Sequence, residues 1–185
     1  RPTPADNMMS NSLLESVVKK NRARLIPFML ALYVLAFLDR SNIGFAKETY
    51  QLDTGLSNEA YALGAGIFFV VYAFLGVPAN LLMRKFGARK WIGCTTLLWG
   101  VLSAAMAWAD SEAKFLLVRT LLGAAEAGFF PGMIYLTSQW FPQQNRASIM
   151  GLFYMGAPLA LTLGSPLSGA LLEMHGLMGH PGWFW

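Results

Sequence analysis

Cysteine occurs once in this chain, at Cys94, and histidine twice, at His175 and His180. A lone thiol excludes a disulfide framework. The two loop histidines have no third ligand at metal-binding spacing, so no metal site and no cofactor is expected. Charge is scarce as well: Asp, Glu, Lys and Arg make up 13% of the 185 residues. A soluble domain carries roughly 25–35% of such residues on its surface. Hydrolase signatures are also missing. No His-Glu-x-x-His and no Gly-x-Ser-x-Gly falls in the apolar stretches, which argues against an intramembrane enzyme. The net charge of +4 does not point to nucleic acid, because the basic residues cluster at the ends of apolar blocks.

Apolar sequence is what the chain has in abundance, at 55% hydrophobic with a mean hydropathy of +0.44. It comes in blocks near the roughly 20 residues that cross a bilayer as a helix. The blocks predict an all-α transmembrane fold with five complete spans, at 25–46, 61–83, 91–109, 115–141 and 147–172, and the start of a sixth at Trp183. Residues 1–24 read as a polar, basic N-terminal segment, unstructured over 1–12, with a short amphipathic helix near Leu13–Val18. The apolar run behind them is too long for a signal peptide. Residues 25–185 read as an N-terminal transmembrane bundle that stops before its sixth helix is complete, with a C-terminal bundle absent.

Loop charges orient the bundle. Lys19, Lys20, Arg22 and Arg24 precede span 1, Arg84, Lys85, Arg89 and Lys90 follow span 2, and Arg146 follows span 4. The alternate loops carry Glu48, Asp53, Glu59, Asp110 and Glu112 against only Lys47 and Lys114. Every basic loop falls on one side, which predicts a cytoplasmic N-terminus in a plasma membrane. Small residues at spacing four (Ala124, Gly128 and Gly132; Ser165 and Gly169) predict close helix packing. Pro131, Pro158 and Pro166 predict kinks or local openings. Trp91, Trp140, Trp183 and Trp185 sit at span ends as interfacial anchors.

Four charges lie inside spans: Asp39 and Arg40 in the first, Arg119 and Glu126 in the fourth. Charges at such depth are costly, so they face a cavity or a partner and mark function. Asp39 stands about 21 Å into span 1, and Arg119 about 6 Å into the oppositely directed span 4, so Asp39, Arg40 and Arg119 share a level. Glu126 is two turns deeper, on nearly the Arg119 face, with the small residues roughly opposite. If Asp39 pairs with Arg119, Arg40 is left free to hold a carboxylate from outside. Protonation of Glu126 would then depend on what else occupies the cavity. The alternatives are an architectural Asp39–Arg119 pair and a permanently neutral Glu126. Tyr72 and Tyr154, polar-tipped aromatics in apolar runs, either line the cavity and contact substrate or bond a neighbouring backbone.

Four stretches together carry a resemblance: Phe37-Leu-Asp-Arg-Ser-Asn-Ile43, Arg84-Lys-Phe-Gly-Ala-Arg-Lys90, Arg119-Thr-Leu-Leu-Gly-Ala-Ala-Glu-Ala-Gly-Phe-Phe-Pro131 and Trp140-Phe-Pro-Gln-Gln-Asn-Arg-Ala147. With them the chain resembles the N-terminal half of a major facilitator superfamily transporter of the anion:cation symporter family. Within it the chain is similar to bacterial sugar-acid importers, the rhamnonate group above all. The resemblance implies a proton-coupled symporter for a small organic anion, with protons and the missing C-terminal bundle as its other partners. It implies proton coupling at Asp39 and Glu126, a substrate carboxylate on Arg40, tuning of the acids by Arg119, and substrate contact at Tyr72.

Two departures stand out. The superfamily's loop signature usually has Gly where Asn80 stands and Asp where Arg84 stands, and galactonate-type members carry a glutamine where Ala157 aligns. A proton-independent anion or sugar-phosphate exchanger and a non-transporting membrane sensor of the same fold remain alternatives. The charge asymmetry predicts that a periplasm-dependent phosphatase is active when fused after Thr54 and silent when fused after Gly87. The reverse pattern would overturn the orientation.

Overall fold

The computed structural model describes residues 4–185, with side chains from residue 13 onward. Its elements are α1 (Pro4–Phe45), α2 (Lys47–Thr54), α3 (Asn58–Phe86), α4 (Ala88–Ala105), α5 (Glu112–Glu126), α6 (Phe129–Trp140), α7 (Gln143–Tyr154) and α8 (Gly156–Leu172). Short 3-10 turns occupy Met106–Trp108, Leu177–Gly179 and Gly182–Phe184. Five segments are long and apolar enough to cross a membrane: Leu13–Phe45, Asn58–Phe86, Ala88–Trp108, Glu112–Trp140 and Gln143–Leu172. The all-helical reading is therefore correct. The unstructured start is not: residues 1–3 lie outside the described residues, and from Pro4 the backbone is helical. Extending an existing helix costs far less than nucleating a new one, and proline is tolerated in the first turn.

Prolines act where the helix cannot absorb them. Pro131 has no N–H for the carbonyl of Ala127, and the fourth span divides there into α5 and α6. Pro158 does the same toward Tyr154, and the fifth span divides at Met155. Pro166 leaves α8 unbroken, as Pro27 and Pro78 do α1 and α3. Caps fix other ends. The Ser57 hydroxyl accepts from the Ala60 N–H at 3.0 Å to start α3. Arg146 donates to the carbonyls of Ser138 and Phe141 at 2.8 and 3.0 Å, satisfying the end of α6.

Small residues set the helix order. Gly123 of α5 lies so close to α3 that an added Cβ would meet the Phe68 carbonyl oxygen at 2.5 Å. Gly128 and Gly132 pack on Trp91 and Met83, as their spacing predicted. On α8 the buried stripe is Gly156, Ala160, Gly164 and Ser168, facing α1. The expected Ser165–Gly169 pair is one position out of register, and nothing stands within 4 Å of a Cβ on Gly169. Trp91 packs against the α5–α6 break, with its indole nitrogen beside Gly128. So α5 ends up between α3 and α4, while α1 lies along α7 and α8. The outward faces carry exposed Phe74, Leu97 and Val101. Such a surface suits lipid or further protein.

Two apolar clusters separate the ends. One, around Met29, Tyr33, Phe68, Trp99, Leu122 and Phe153, fills the middle. The other, around Tyr50, Ala60, Ala109 and Phe115, closes the end away from the basic loops. There the Tyr50 hydroxyl donates to the Ala109 carbonyl. Burial, helped by Asp110, pushes that phenol up to about 12, so it keeps its proton at physiological pH. Trp183 packs edge-on against Tyr50 and donates to Asp53 at 2.7 Å.

Gly123→Ala is expected to destabilise the protein by about 1–3 kcal/mol, because the obstacle is backbone and cannot rotate away. Gly100→Ala, with nothing within 4 Å, should be neutral or stabilising by up to about 1 kcal/mol. Thermal unfolding in detergent compares the two, and equal shifts would contradict the packing account.

Candidate functional site

The four intramembrane charges gather in the middle of the bundle, and Glu126 lies within electrostatic reach of Arg40, Asp39 and Arg119 together. Their pairing differs from the expectation. Arg40 is not free: its Nε and Nη2 donate to Glu126 Oε2 at 2.9 and 2.6 Å. Asp39 does not pair with Arg119 but accepts a hydrogen bond from the Ser103 hydroxyl of α4. Arg119, only 3% exposed, makes no ion pair among the described residues. Its guanidinium lies 4.5 Å from the Phe68 ring centroid, and its Nε donates to the Gly64 carbonyl at 3.4 Å.

Side-chain direction explains the exchange. Helical side chains lean toward their own N-terminus. Arg40 therefore reaches back toward Phe37, and Glu126 leans back toward Arg119. Because α1 and α5 run in opposite directions, the two tips converge from levels that Cα depths keep apart. Aromatic rings then bed the guanidinium, with Tyr72 at 4.8 Å, Phe68 at 5.6 Å and Phe37 at 5.7 Å. Rings stabilise a cation without competing for its N–H groups.

Each acid keeps one bare oxygen. Asp39 Oδ2 and Glu126 Oε1 are buried with no hydrogen-bond partner. Asp39 and Arg119 do share a level. Both line a cavity of about 250 Å³, with Asn42 and Ser103, under the Tyr50–Trp183 lid. Glu126 is 1% exposed and is not among the residues lining that cavity.

Of the two tyrosines, Tyr72 joins the site beneath Arg40. Tyr154 stands in a separate aromatic group with Tyr33, Phe130 and Phe153. It connects to the site through Tyr33, whose ring packs 4.8 Å from Phe37, and through Phe130, which lines a cavity with Tyr72. Ala157 packs against the central cluster. Sequence reading missed Ser103, Gly64 and Phe68. Ser103 was within reach of the same depth argument: it lies 15 residues, about 22 Å, along α4, parallel to α1 and level with Asp39.

Residues 29–185 match the Major Facilitator Superfamily. The chain belongs to that family. It is 91% identical over 177 residues to the inner membrane transport protein RhmT of Escherichia coli strain K12, covering 96% of this chain and 41% of RhmT. It is 50% identical over 180 residues to an Agrobacterium vitis protein provisionally named a tartrate transporter, covering 97% of this chain and 40% of that protein. The chain thus spans about two fifths of the length of these relatives. Its fold matches the crystal structure of a bacterial homolog to the human lysosomal transporter Spinster, in an inward-facing and occupied conformation. The TM-score is 0.78 at 23% identity, over 84% of this chain and 34% of that one. Family and relatives are multi-pass membrane transporters, not enzymes.

Removing one partner of a buried ion pair strands the other charge. Arg40→Gln is therefore expected to cost about 3–5 kcal/mol, and Arg40→Gln/Glu126→Gln to recover most of the loss. Melting curves of the purified protein test this; a double variant no better than the single one would mean that the pair is not the relevant contact.

Proposed function

We propose that this chain forms the N-terminal bundle of a proton-coupled symporter that imports a small organic anion, a sugar acid such as an aldonate, across a bacterial inner membrane. In this reading the N-terminus and the basic loops face the cytoplasm. The bundle rocks against a second one that supplies the remainder of the site. The observation that carries the proposal is the Arg40–Glu126 pair, bedded on Tyr72 beside a second acid with its own partner.

Competition then supplies the coupling. An incoming carboxylate is held by Arg40 in the place of Glu126. The displaced Glu126 is left buried without its cation, a costly state that uptake of a proton relieves. Substrate and proton so favour each other's binding, and release of one on the inner side re-forms the ion pair and expels the other. Asp39 titrates on the outer side, held by Ser103, and Arg119 balances the two acids. Tyr72 and, more remotely, Tyr154 face the organic part of the substrate. The kinship with two Agrobacterium vitis proteins provisionally named tartrate transporters supports an organic acid as cargo.

In membrane vesicles, Glu126→Gln is expected to abolish accumulation of labelled rhamnonate driven by a pH gradient while sparing counterflow. Arg40→Gln should abolish both. A Glu126→Gln protein that still accumulates rhamnonate against its gradient would establish a proton-independent exchanger instead.

A further inference from the structure

A second cavity, of about 330 Å³, lies between α3 and the α5–α6 break, on the basic-loop side of Tyr72. Tyr72, Asn80 and Arg84 line it along α3, with Phe130 and Pro131 opposite. It begins at the ring that carries Arg40, 4.8 Å from that guanidinium. Tyr72 and Arg84 are 12 residues apart, about 18 Å along the helix.

Two polar groups of this cavity have no hydrogen-bond or ion-pair partner among the described residues. Asn80 Oδ1 is buried and has no hydrogen-bond donor. Arg84 makes no ion pair among the described residues, and its guanidinium rests 5.9 Å from the Tyr135 ring centroid. A basic residue in the last turn of α3 suits the helix dipole. That accounts for a positive charge there, but not for a buried acceptor left bare one turn away. A hydroxyl donor would satisfy Asn80, a carboxylate would satisfy Arg84, and Phe130 and Pro131 offer an apolar wall to the carbons between them.

We propose that Asn80 and Arg84 form a second anion subsite at the cytoplasmic mouth, which takes a hydroxy-carboxylate leaving Arg40. Its carboxylate accepts from the Arg84 guanidinium, and one of its hydroxyls donates to Asn80 Oδ1. The proposal rests on the sugar-acid reading for its cargo, but the anion site itself can be tested apart from transport.

Val77 lines the cavity and is 70% exposed, so a cysteine there is reachable and tolerable. The full-length protein carrying Cys94→Ser and Val77→Cys would be labelled in inside-out vesicles with an anionic and a cationic thiosulfonate, each rate normalised to a free thiol. The anionic reagent is expected to react about tenfold faster, and Arg84→Gln should remove that preference. Rhamnonate, galactonate and tartrate serve as protectants, and Asn80→Ala should weaken protection about fivefold or more, as loss of a hydrogen bond does. Equal reagent rates, a preference that survives Arg84→Gln, or protection by none of the three acids would overturn the subsite. Failure of the importer reading shows separately, as an unlabelled wild-type protein that takes up none of these acids.

Discussion

A guanidinium and a fully buried carboxylate are paired inside this bundle, and the surrounding structure is arranged around keeping them together. Neither Arg40 nor Glu126 could be held alone at that depth. Paired, they need rings that shield them without competing, which Phe37, Phe68 and Tyr72 supply. The rings in turn require α3 to lie against α5, and Gly123 permits that approach by leaving room for the Phe68 carbonyl. The break after Glu126 belongs to the same arrangement. Pro131 interrupts the helix just past the acid, so the turn that presents Glu126 is not locked into a continuous hydrogen-bond ladder.

Separation of the acids matters as much as the pair. Asp39 is held by a neutral hydroxyl and opens to a cavity beneath the Tyr50–Trp183 lid, whereas Glu126 is held by a cation and is sealed. In the proposed cycle, two carboxylates with such different partners answer to different events, one to what enters from the lid side and the other to what displaces Arg40. Arg119 sits between them without a direct carboxylate contact, so its charge biases both and is committed to neither.

Much of the fold was legible because a bilayer leaves few options. Long apolar blocks must be helices, basic loops sort to one side, and prolines 131 and 158 break their helices at the carbonyls four residues upstream, which they cannot serve. The errors were of register and reach. Ser165 and Gly169 follow the small-residue spacing yet face outward, because the neighbouring stripe from Gly156 to Ser168 packs on α1. Both stripes satisfy the same rule, and only the presence of Tyr33 and Leu38 opposite one of them decides which is buried. Arg40 was assigned by the depth of its Cα, but a side chain of that length travels more than a turn from its origin.

By itself the sequence determined the membrane class of this chain, the number of complete spans within it and the identity of the charges inside them. These follow from the cost of putting polar groups in hydrocarbon, which every residue meets independently of its neighbours. Tertiary structure alone decided which charge meets which. Pairing depends on the lean of side chains on antiparallel helices and on a serine from a third helix, and no pattern along one chain encodes the angle at which two helices face each other.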